Sequence, residues 1–230
     1  MEKLKKRMVI VLSFIVLVII IMVATGYDYL FKAARVAAFH GRFDNSIYDF
    51  KYYDTREIKT GIAQPWPLDT QYNKVAFSPE FVKEMDDYKS KAFLIIRDGE
   101  ILKEHYWGDY NKNTLSCFWS VTKTYTTLAI LKAIDDGLIK SVDEPLSNYV
   151  PEWNMEQKSV LTLRHLASMT AGFEWDELNP GPFSPVAKLI FCDDVNNMTF
   201  KVLNSVKNPP GAVQNYNSAG TQLLGIVLDN

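Results

Sequence analysis

The chain has 230 residues, of which 47% are apolar and 23% charged, an ordinary globular composition that excludes wholesale disorder. With 25 basic and 27 acidic side chains, a formal net charge of −2, it lacks the bulk charge of a nucleic-acid-binding protein. Two cysteines supply neither a disulfide scaffold nor a Cys-rich zinc site.

The charge is unevenly placed. Lys3, Lys5, Lys6 and Arg7 stand against Glu2 at the very start, leaving 21 basic and 26 acidic side chains, a net −5, over the rest. Residues 8–24 follow directly and are apolar at every position except Ser13. A bilayer core needs about 20 such residues, with a lower limit near 17, so the run predicts a transmembrane helix. The cations on its N-terminal side predict that this end stays cytoplasmic and the remainder lies outside the cytoplasm. An uncleaved anchor fits better than a signal peptide, because 22–27 offers a poor A-x-A-like cleavage pattern; secretion after cleavage is the alternative. This divides the chain into an anchor at 1–26, a juxtamembrane stalk at 27–75 and a folded domain at 76–230. Residues 31–39 read equally as an amphipathic helix lying on the membrane or as plain juxtamembrane stalk, and the two prolines of 63–67 make a loop.

In the body, 92–96 and 101–107 are β-prone runs around Asp98-Gly99, a strong hairpin signal. After Trp119 the period changes. Val121, Tyr125, Leu128 and Leu131 form a helical stripe, and Ala129, Ile130, Ala133 and Ile134 populate other faces, so this helix is expected to be buried on several sides and to stop at Gly137. Thr162 is expected to cap a short helix running to Met169 and closed by Gly172. Residues 218–228 again show helical spacing.

Ser120-Val121-Thr122-Lys123 is the leading chemical candidate. Positions i and i+3 share a helix face, so the Lys123 amine can reach the Ser120 hydroxyl. A serine needs a base to take its proton, and a buried lysine can serve as one. Ser120 also falls in the first helical turn, where free backbone N–H groups can hold an oxyanion. The tetrad alone carries little weight, since 13 Ser and 19 Lys make about one such match expected by chance.

The surrounding residues add specificity. The stretch 118–129 closely resembles the nucleophile helix of the serine β-lactamase and penicillin-binding-protein superfamily, nearest to class C β-lactamases, D-aminopeptidases and related esterases or amide hydrolases. Residues 134–145, 161–172 (Leu-Thr-Leu-Arg-His-Leu-Ala-Ser-Met-Thr-Ala-Gly) and 209–225 resemble further family segments in the same order. The likeness covers about 90–230. It implies an α+β, β-lactamase/transpeptidase-like fold, an antiparallel sheet flanked by helices beside a helical domain. It implies an acyl-enzyme on Ser120, with Lys123 and Tyr216 moving protons and Ser218 of a Tyr216-Asn217-Ser218 variant element lining the pocket. The substrate would be a small molecule or peptide with an amide or ester bond.

The family's third element, K-T-G or H-x-G, does not follow Tyr216. The chain therefore reads as an incomplete fold, and the 230 residues by themselves are expected to be a poor or dead catalyst. A non-catalytic member that binds cell-wall peptides or acyl ligands is the alternative. No cofactor, metal or nucleic acid is implied. His165 reads as structural, Cys117 as a small buried side chain, and a Cys117–Cys192 bridge stays open. Asp193-Asp194 reads as a loop charge pair.

Overall fold

The computed structural model describes residues 2–40, 46–53, 55–153, 155–179 and 181–230. It divides into two compact units, one made of Met1–Asp44 with Phe118–Asn230, the other of Asn45–Cys117.

The smaller unit is built on an antiparallel hairpin, β1 (Ala92–Arg97) and β2 (Glu100–Tyr106). Asp98 and Gly99 join them with φ of 52° and 82°, the left-handed pair that a two-residue primed turn demands. The register shifts between Ile95 and Ile96, which leaves Leu102 as the extra residue of a bulge. Segment 67–73 lies along β2: the Ile101 N–H donates to Pro67 O, and the Asp69 N–H donates to Ile101 O. A helix, α3 (Pro79–Asp87), starts on the Ser78 cap with Pro79 at its first position. Phe77, Phe81, Phe93, His105 and Trp107 pack together as rings against the hairpin. His105 is thus half-buried in this aromatic cluster.

The larger unit holds the apolar core. Its helices are α1 (Glu2–Ala24), α2 (Tyr29–His40), α4 (Thr122–Asp135), α5 (Leu163–Ala167), α6 (Pro185–Phe191), α7 (Val195–Val202) and α8 (Ser218–Asp229). The last of these is the organising element. It packs against α4, α5 and α7 and buries Ala219, Gly220, Leu223, Leu224, Ile226 and Val227. Ile130, Leu146, Val150, Leu161, Leu163, Leu166, Phe173 and Leu203 complete the core. α1 buries none of its residues and is the one helix among the described residues long and apolar enough to cross a membrane.

Three expectations need correction. The stripe of Val121, Tyr125, Leu128 and Leu131 is exposed at 45–56%, and only Ile130 and Ala133 of α4 are buried. Periodicity identifies a face but not the one that is covered. The helix capped by Thr162 ends at Ala167, not Met169, because Met169 takes a left-handed φ of 59°. The helix expected at 31–39 begins earlier, as α2 from Tyr29, and packs in part on α6: Tyr29 and Val36 are buried, and the Tyr29 hydroxyl donates to Pro182 O at 2.9 Å.

Candidate active site

The Ser120 side chain stands on a 3₁₀ turn, Trp119–Val121, that leads directly into α4. Trp119 holds a φ of +46°, a left-handed conformation that costs a bulky residue about 1–3 kcal/mol and is kept where the surrounding fold enforces it. The turn lifts Ser120 onto the exposed surface ahead of the regular helix. No side chain caps α4, so Ser120 is not serving as its N-cap.

Three residues on, the Lys123 Nζ donates to Ser120 Oγ at 3.2 Å. The i, i+3 spacing survives the change from 3₁₀ turn to α-helix because both keep the two side chains on one side. Lys123 is half-buried rather than buried, since the face of α4 beside it is open. Its Nζ also lies 5.1 Å from the centroid of the Tyr216 ring, within cation–π range.

The Tyr216 position is fixed from both sides. Before it, the Asn215 N–H donates to Met169 O at 2.8 Å, and its Nδ2 donates to Trp175 O at 3.0 Å and Phe173 O at 3.3 Å. After it, buried Asn217 caps α8: its Oδ1 accepts from the Gly220 N–H at 2.7 Å, and its Nδ2 donates to Asn215 O at 2.7 Å. Between two anchored asparagines the Tyr216 ring turns outward, 44% exposed, toward Lys123. Ser120, Lys123 and Tyr216 thus converge, the first two from α4 and its turn and the third from the approach to α8.

Ser218 sits two residues beyond Tyr216 and is held differently. Its hydroxyl and its N–H both donate to the Glu177 carboxylate, which also accepts from Trp175 Nε1 at 2.6 Å. Glu177 is absent from the sequence reading. It lies 41 residues from Ser218 in a loop, and nothing local marks it.

The other candidates fall into structural roles. His165 completes a capping box with Thr162: its N–H donates to Thr162 Oγ1, and its Nδ1 accepts from the Thr162 N–H at 3.2 Å. The Cys117 and Cys192 thiols are free, and burial pushes both pKa values up, which leaves them poor nucleophiles. Asp194 caps α7 and Asp193 pairs with Lys32 at 3.4 Å. Among the described residues no group of three or more His, Cys, Asp or Glu is placed to hold a metal ion.

A protein of Alkalihalophilus pseudofirmus, itself uncharacterized, is 28% identical over 116 residues, which is 46% of this chain and 34% of that protein. Among solved structures, a candidate 6-aminohexanoate-dimer hydrolase from Bacillus anthracis superposes with a TM-score of 0.50 at 18% identity, covering 72% of this chain and 48% of that one. A candidate β-lactamase from Bacteroides dorei gives 0.51 at 17% identity, covering 65% and 44%. At those identities the likeness establishes the fold, and the chain spans less than half the length of each of these relatives. The family model described as Beta-lactamase matches residues 80–230, most of the chain, and the protein belongs to the Beta-lactamase family.

Proposed function

We propose that this protein is a serine hydrolase that cleaves an amide or ester bond through an acyl-enzyme on Ser120. The observation that carries the reading is the placement of Lys123 Nζ, 3.2 Å from Ser120 Oγ and 5.1 Å from the Tyr216 ring centroid. In the attacking form, deprotonated Lys123 accepts the Ser120 proton as Oγ bonds to the substrate carbonyl carbon. Tyr216, whose ring centroid lies 5.1 Å from the amine, relays that proton to the departing amine or alcohol. Water then attacks the acyl-enzyme, the same pair takes its proton, and Ser120 is restored. No cofactor enters these steps.

The location we propose rests on α1. Its apolar residues, 8–24, reach the lower limit of about 17 for a membrane span. The four cations at its start keep that end in the cytoplasm, so α1 anchors the protein with the folded units outside.

The test is pre-steady-state hydrolysis of p-nitrophenyl acetate by the full chain in detergent. The reading predicts a burst of p-nitrophenol of one equivalent per chain, whatever the later turnover, and its loss in Ser120→Ala. A burst that survives in Ser120→Ala would assign the chemistry elsewhere.

A further inference from the structure

The junction between α1 and α2 is tight. Gly26, at a φ of +74°, donates its N–H to Val23 O at 3.2 Å, and the Tyr27 N–H reaches back to Met22 O at 2.8 Å. These two bonds are a Schellman motif, which folds the chain back on the last turn of α1. Tyr27 is therefore pinned beside Met22, inside the apolar run. As a helix, the 17 residues of 8–24 rise about 25 Å, short of a hydrocarbon core of about 30 Å, so the residues just beyond Ala24 are drawn to its edge. Given the anchor proposed above, Tyr27 sits at headgroup depth, where aromatic rings are favoured.

A second ring accompanies it from the folded body. Phe183, 64% exposed, stands edge-on to Tyr27 at 6.0 Å between centroids. Its neighbour Pro182 is held by the buried Tyr29 hydroxyl, and Ser184 caps α6 through the Ala187 N–H. Phe183 is thus fixed on both sides by bonds to α2 and α6. The charges around the pair are mixed: Lys188 Nζ lies 5.8 Å from the Tyr27 centroid and Lys32 pairs with Asp193, while Asp28 and Arg35 are exposed. The rings, not net charge, decide what the patch fits.

We propose that Phe183 is a second membrane contact, resting in the headgroup layer beside Tyr27. The larger unit is then held against the bilayer at two points instead of hanging from α1 alone. The occupant of the patch is the phospholipid interface that α1 itself enters, and because charges of both signs surround the rings, the contact does not depend on anionic lipid.

The test uses the full chain in phosphatidylcholine nanodiscs, with the photo-crosslinker p-benzoylphenylalanine placed singly at position 183, at position 16 within α1, or at position 138, where Leu138 is exposed. After irradiation, mass spectrometry reads phospholipid adducts at each site. The proposal predicts adducts at 16 and 183, with those at 183 several-fold above those at 138. Adducts at 16 with none above the 138 level at 183 would overturn the proposal and leave the anchor standing. Adducts at neither 16 nor 183 would remove the anchor and the proposal together. Neither outcome bears on the chemistry of Ser120.

Discussion

Ser218 places both its N–H, at 2.8 Å, and its hydroxyl on the carboxylate of Glu177. The same carboxylate takes the indole N–H of nearly buried Trp175, so one side chain ties the loop at 175–177 to the start of α8. Glu177→Ala leaves these donors without their acceptor, which costs about 1–3 kcal/mol for a buried group. Chemical denaturation of the full chain should show a loss in that range, and Glu177→Gln, which keeps one acceptor oxygen, should lose less. Equal losses would mean that the oxygen retained in Glu177→Gln contributes nothing.

Gly172 and Gly137 share a left-handed φ, 79° and 75°, but not their surroundings. A Cβ on Gly172 would lie 2.0 Å from the backbone oxygen of Asn208, whereas one on Gly137 meets open space. Gly137→Ala should lose about 1–2 kcal/mol, the left-handed penalty alone. Gly172→Ala should lose clearly more, because backbone must also move. Matching denaturation midpoints in the two variants would show that the close approach at Asn208 is not enforced.

If Lys123 and Tyr216 carry the proton, each has a kinetic signature. General-base catalysis contributes about a hundredfold to ten-thousandfold. Lys123→Met should slow acylation of Ser120 by at least about a hundredfold, with the circular dichroism spectrum unchanged. Tyr216→Phe keeps the ring over the amine and removes only the hydroxyl, so it separates proton transfer from cation–π support. Unchanged acylation in Tyr216→Phe would take Tyr216 out of the proton path.

The pH dependence of stability has a defined sign. The Arg164 guanidinium donates to both Asp143 oxygens, at 2.6 and 2.9 Å, and holds that carboxyl below its ordinary value. A carboxylate with a depressed folded pKa contributes stability above its unfolded pKa, about 3.9. That contribution is lost as the pH falls through the lower, folded value. Urea midpoints followed from pH 6 downward should drop less steeply in Asp143→Asn than in the parent below about pH 4. Both side chains are 60% exposed, so the difference should shrink in high salt. Parallel curves would show that the pair is screened out in solution.

What the sequence discloses depends on how local the physics is. The hairpin at Asp98-Gly99 is legible because a primed turn needs two residues that tolerate positive φ. The Thr162 cap and the Ser120–Lys123 pair are legible for the same reason, since each spans a single turn. The signals that start α3 and α6, Ser78-Pro79 and Ser184-Pro185, are equally local and were available to be read. Burial is not local. The apolar stripe on α4 has the right period yet is exposed, and α2 turns its buried residues toward α6, 153 positions from Tyr29 at the Pro182 bond. Glu177 belongs to the same class, because only the fold brings it to Ser218. The left-handed Trp119 is a further case: a tryptophan gives no sign of that backbone, and the fold around Ser120 imposes it.

The central claim is that Ser120 is activated by the groups placed around it. Intact mass after treatment with a fluorophosphonate probe tests this most directly, with the parent chain and Ser120→Ala measured side by side. The account predicts a single adduct on the parent chain, mapped to Ser120 and absent from Ser120→Ala. No adduct on a folded parent chain, or an equal adduct on the variant, would contradict it.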